Sequence, residues 1–173
     1  MNDEERRIRG YLQAQGAKLA PAAIIDKVRA AMEQLRVAAA AVPAARFGER
    51  PEPEEWSADE VMAHVVAAGA RFGGDIVRVL DGGRAAAPAP AADAPAARRT
   101  AAEWSALLAR DRDALFARVL AADATARLDV AIEHGMFGTL NWRETLLFLR
   151  LHDLDHAGQL QKIAGALAGA RPA

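Results

Sequence analysis

Asn141-Trp142-Arg143-Glu144-Thr145-Leu146-Leu147-Phe148-Leu149-Arg150-Leu151-His152-Asp153-Leu154-Asp155-His156-Ala157-Gly158-Gln159-Leu160 is the stretch that decides the fold. Asn141 is a good helix cap, and Glu144 three residues on completes the capping pattern. Thr145, Phe148, Leu149, His152, His156, Gln159, Leu160 and Ile163 then recur at helical spacing and form one inward stripe. His152 and His156 stand four apart, so a helix puts them on one face with Cβ atoms roughly 5–6 Å from each other. Two imidazoles so placed can close on one divalent cation, because metal–nitrogen bonds are only about 2 Å long.

Upstream the same period recurs. Ile25, Val28, Met32, Leu35, Ala39 and Val42 predict a helix from Pro21 that ends at Pro43, and Arg46 to Glu55 reads as a loop. Ser57 and Glu60 form a second capping box, with Trp56 before it as a hydrophobic staple onto Val61. The inward stripe after it is Val61, His64, Val65, Ala68, Phe72, Ile76 and Val79, closed by Gly82-Gly83. A further helix is predicted over about Ala101 to Ala121, with Trp104, Leu107, Leu108, Leu115, Phe116 and Val119 as its apolar side. Residues 84–99 are alanine- and proline-rich and read as a linker. Residues 1–20 are polar and admit a short leading helix, and 123–138 is a connector containing His134. Four substantial helices without a strand signal predict an all-α fold, a single four-helix bundle domain over 1–173, with a long crossover linker between predicted helices two and three.

Composition narrows the function. The chain has 173 residues, 52% of them hydrophobic, enough for a sizeable core. The net charge of -1 offers no basic surface for nucleic acid or anionic lipid. With no cysteine there is no protein thiolate, no disulfide and no zinc–thiolate site. The first residues are charged and lack an apolar signal region, and no apolar run reaches membrane-spanning length, so a cytoplasmic protein is expected.

His64 lies on the apolar side of a different predicted helix from His152 and His156, and three neutral imidazoles converging from two helices would make an open metal site. The plainer alternative for each is a core histidine hydrogen-bonded to a carbonyl. The HExxH arrangement of zinc proteases is absent, and so are the Glu-x-x-His pairs of di-iron bundles. Glu60, one turn before His64, is within reach of a metal there, but its capping-box position is the preferred explanation. Asp155 is either a support for a ligand imidazole or a solvated charge, and Gln159 either lines the pocket or is a satisfied amide. His134 is read as a loop histidine, mostly solvated, with a place near the mouth of the site and an assisting role as the alternative. Arg110-Asp111-Arg112-Asp113 is read as a solvated helix face.

Trp56-Ser57-Ala58-Asp59-Glu60-Val61-Met62-Ala63-His64, Phe137-Gly138-Thr139-Leu140-Asn141-Trp142-Arg143-Glu144 and His152-Asp153-Leu154-Asp155-His156-Ala157-Gly158-Gln159-Leu160 together resemble the DinB-like superfamily, also called the YfiT-like metal-dependent hydrolases. The resemblance covers about residues 25 to 167. It implies a four-helix bundle and a three-histidine divalent-metal site made by His64, His152 and His156. It further implies a hydrolase or an S-transferase using a low-molecular-weight thiol such as mycothiol, bacillithiol or glutathione, acting on a small-molecule substrate. Zinc is the first expectation for the metal, with nickel, iron or manganese as alternatives. A homodimer is compatible with the resemblance. The rival reading is a non-catalytic metal- or small-molecule-binding module of a stress response. The 84–97 insertion departs from the compact family pattern.

Overall fold

The computed structural model describes residues 1–86 and 98–169; most of the alanine–proline linker lies outside the described residues. Among the described residues there are five α-helices and one small hairpin: α1 (Asp3–Lys18), α2 (Pro21–Ala41), a 3-10 turn (Ala44–Arg46), α3 (Ala58–Leu80), α4 (Ala101–Leu120), β1 (Ile132–His134), β2 (Gly138–Leu140) and α5 (Trp142–Gly169). Helix α2 packs on α5 and α4, and α3 packs on α4 and α5, so α2–α5–α3–α4 close a ring with α2 and α3 on one diagonal. Helix α1 lies outside the ring against α5.

The helix ends follow from local chemistry. Pro21 opens α2, where its missing N–H costs nothing. Ser57 and Glu60 form the capping box expected for α3. At its other end Gly82 takes φ +91°, and the Gly83 and Gly82 N–H groups donate to the carbonyls of Arg78 and Val79. That is the Schellman arrangement, and glycine adopts its left-handed residue without a Cβ clash. Thr100 and Glu103 cap α4 in the same way as α3. The Asn141 side-chain oxygen accepts from the Arg143 and Glu144 N–H groups, and Glu144 accepts from the Asn141 N–H in return. Two starts are tied together: Asp59, near the start of α3, accepts from the Trp104 indole of α4 at 2.7 Å and from the Arg99 N–H.

Two features depart from the sequence expectation. The leading segment is a full sixteen-residue helix. The connector before α5 contains the antiparallel pair β1–β2, with Ile132 opposite Leu140 and His134 opposite Gly138. Its strands are three residues each, too short for the alternation to stand out in sequence, but Ile132 and His134 point inward and Glu133 outward.

Among the described residues the buried apolar side chains divide into two clusters. One holds Phe72, Leu115, Phe116, Ile132, Trp142, Phe148 and Leu149; the other holds Leu35, Val61, Val65, Trp104, Leu108, Ala157 and Leu160. On α4 the step between them is taken by Arg112, and on α5 by His152, Asp153 and His156. A polar layer thus cuts the core at one level.

Candidate metal centre

Helices α3 and α5 adjoin in the ring, and that brings His64 to the pair on α5. One ligating nitrogen from each of His64, His152 and His156 falls within 4.8 Å of the others. Ring centroids are 5.1 Å apart for His64–His152, 5.0 Å for His64–His156 and 4.5 Å for His152–His156. The Nε2 atoms of His64 and His152 stand 3.2 Å apart. Two imidazoles bound to a tetrahedral ion at about 2.0–2.1 Å have nitrogens about 3.3 Å apart, so this pair already has the spacing a cation needs.

The rest of the trio fits as well. The His156 Nδ1 faces the Gln159 side-chain oxygen at 2.8 Å, and an amide oxygen only accepts, so Nδ1 carries the proton and Nε2 keeps a lone pair. Gln159 therefore orients a candidate ligand. The pKa of His64 is lowered to about 4, first by partial burial and then by the two neighbouring imidazoles. That of His156 is also lowered, chiefly by burial, with the Gln159 bond opposing. Both rings are neutral near pH 7, the form that binds metal.

His64 is exposed, His152 half-buried and His156 buried. The trio therefore sits at the rim of the bundle rather than in its centre. Trp56 is 41% exposed and lies across His64 with ring centroids 5.2 Å apart. It walls the site instead of stapling the start of α3 into the core. A cleft of about 620 Å³ opens beside it, lined by Glu55, Trp56, His156, Gln159, Lys162 and Ile163 among others.

The remaining expectations divide. Glu60 stays in its capping box and pairs with Arg50, which lowers its pKa to about 2. Asp155 is exposed, and its charge opposes the lowering of the His156 pKa. His134 is not solvated: it is 7% exposed, and both ring nitrogens are buried without a hydrogen-bond partner. Phe72, Phe137 and Phe148 surround it, with ring centroids 4.9, 4.9 and 4.1 Å away. The inward register of β1 puts it there. Phe148 also meets His152 at 5.6 Å, so the aromatic box lies directly behind the trio.

Arg112 is likewise not part of a solvated face. It is 1% exposed and pairs at 3.1 Å with Asp153, which is 0% exposed. Arg112 stands four residues after Leu108 and four before Phe116, in the inward stripe of α4. Asp153 stands four after Leu149 and four before Ala157 on α5. Charged residues in phase with two apolar stripes were the available sign of this pair.

The sequence matches the DinB superfamily over residues 24–160. The chain belongs to the DinB superfamily. The DinB match runs from α2 into α5 and includes all three histidines; α1 lies outside it. Among solved structures the chain is similar to TT2238, described as a four-helix bundle protein, with a TM-score of 0.62 and 20% identity over 82% of this chain and 98% of that one. At that identity the likeness concerns the DinB bundle fold alone. No curated protein matches the sequence significantly. Among the described residues, no helix is long and apolar enough to cross a membrane.

Proposed function

We propose that this DinB protein is a divalent-metal enzyme, a hydrolase or a low-molecular-weight-thiol S-transferase, with His64, His152 and His156 as its metal ligands. One observation carries the reading: three imidazoles from two helices converge at a rim beside an open cleft, rather than in a sealed core. A closed structural site would use four protein ligands, whereas three leave a position for substrate or solvent. Bound there, zinc or a similar ion would lower the pKa of a water or thiol and polarise an electrophile.

The chain's own contribution is arrangement. Gln159 holds the His156 ring with its lone pair available. Trp56 offers an aromatic wall for the apolar part of a substrate, and Lys162 offers a cation at the cleft for an anionic group. With no cysteine in the chain, any thiol must arrive with a ligand. On this reading the chain is one bundle domain acting on a small molecule in the cytoplasm.

The test is turnover of model ester, amide and electrophile substrates, each with and without an added thiol, by protein reconstituted with zinc, nickel, iron or manganese. The proposal expects activity that appears with metal and vanishes in His152→Ala. A protein that binds metal tightly yet turns over nothing in any arm would favour the non-catalytic binding module.

A further inference from the structure

The pair Arg112–Asp153 has no evident stabilising purpose. Burying two charges costs several kcal/mol per ion before their attraction is counted, and apolar replacements of similar volume are often neutral or better. Here the cost is higher than usual. Arg112 Nε and Nη1 are buried without a partner, and both Asp153 oxygens are served by the same nitrogen, Nη2, at 3.1 and 3.4 Å. Gly69 of α3 lies alongside, where an added Cβ would sit 3.4 Å from Nη2, so the guanidinium packs close to the α3 backbone. Three helices meet at this point.

What the pair faces gives it a purpose. Asp153 Oδ1 is 3.9 Å from Nδ1 of His152. That Nδ1 is buried and has no hydrogen-bond partner. The other nitrogen of the same ring, Nε2, points at His64. The ring thus has Nε2 toward the proposed ion and Nδ1 toward a buried carboxylate that lies beyond direct hydrogen-bond reach and acts on it through its charge. Histidines that bind metals characteristically present their second nitrogen to a carboxylate, carbonyl or water, which sets the tautomer and makes the ligand nitrogen more basic. His156 uses Gln159 for this, and His64, at the exposed rim, has solvent.

We propose that Asp153, anchored by Arg112, is the positioning residue of the metal centre: its carboxylate keeps the proton of His152 on Nδ1 and so presents the Nε2 lone pair to the ion. The inference rests on the metal reading of the three histidines. It also fixes the metal-free state. With the His152 proton on Nδ1, its Nε2 is an acceptor, and the 3.2 Å contact with His64 requires the His64 Nε2–H to donate. Arg112 acts one step further back, since without it the carboxylate would be a buried anion with no counter-charge.

Removing one partner alone strands a buried charge and threatens the fold, so the informative variant is Arg112→Met with Asp153→Leu, which removes both charges and keeps apolar volume. Cobalt(II) is titrated against a competing chelator into the parent and this double variant, and metal-free melting is recorded for each. The tautomer of His152 is read from its ring ¹⁵N shifts in metal-free protein. We expect a double variant that melts no lower than the parent but binds cobalt roughly 10- to 100-fold more weakly. We expect the Nδ1–H form of His152 in the parent and its loss in the variant. Equal cobalt affinity in parent and variant would overturn the inference while leaving the metal reading intact. A parent that takes up no cobalt would overturn both. The parent tautomer is an arm that needs no variant: a proton found on Nε2 of His152 would refute the proposal even if the variant failed to fold.

Discussion

Replacing His134 by phenylalanine should flatten the acid side of the stability profile. Three phenylalanine rings enclose His134, and neither of its nitrogens has a hydrogen-bond partner. Burial, followed by the charges of Arg71 and His152, lowers its pKa from 6.5 to about 4. The folded state therefore holds this proton less tightly than the unfolded chain. The contribution of the neutral ring is fully present above the unfolded pKa and is lost as pH falls from about 6.5 toward about 4. For a pKa of 6.5 unfolded and about 4 folded, the linkage relation gives about 2 kcal/mol lost between about pH 7.5 and pH 5. Denaturant unfolding of parent and His134→Phe, in chelator, at both pH values is the assay. The variant should gain on the parent by that amount at the acid end. Steric misfit of the larger ring would shift both variant values equally and leave the difference between pH values intact. Parallel profiles for the two proteins would refute the reasoning, because they would mean that His134 titrates alike in both states.

Other outcomes follow from the same structure. Asn141→Ala removes the acceptor for two N–H groups at the start of α5 and should cost about 1–2 kcal/mol in urea unfolding. Gly16→Ala, which in an exposed helix would help by about 0.5–1 kcal/mol, should instead lower the melting temperature. The added Cβ would lie 2.9 Å from Glu144 Cγ and push on the capping side chain of α5. Leu149→Ala opens a cavity at a site 0% exposed and should cost about 2–5 kcal/mol. Trp56 should report metal loading: its ring lies over His64, so tryptophan fluorescence should change on adding zinc and fail to change in Trp56→Phe.

Much of the architecture could be read from the chain because local signals agreed with each other. Ser57 with Glu60, and Asn141 with Glu144, marked two helix starts, and Gly82-Gly83 marked an end. The stripes behind those caps carried His64, His152 and His156 onto helices that pack together. Side chains whose place depends on tertiary contact were harder. His134 sits in a three-residue strand whose pairing with residues 138–140 no short pattern announces. Arg112 lies in an alternating run of charges that resembles a solvated face, and only the gap it fills between Leu108 and Phe116 betrays its burial. Trp56 obeyed the staple pattern in sequence, yet its ring lies across His64. Helical spacing puts His64 on the inward stripe, yet it stands at the rim, which leaves the trio open toward the cleft rather than sealed beneath it.

Metal content bears most directly on the central claim. Protein purified without a histidine tag and analysed for elements should carry about one divalent ion per chain, and the His152→Ala, His156→Ala double variant should carry almost none. Full occupancy persisting in that double variant, or a well-folded parent that holds no metal even after reconstitution, would contradict the account.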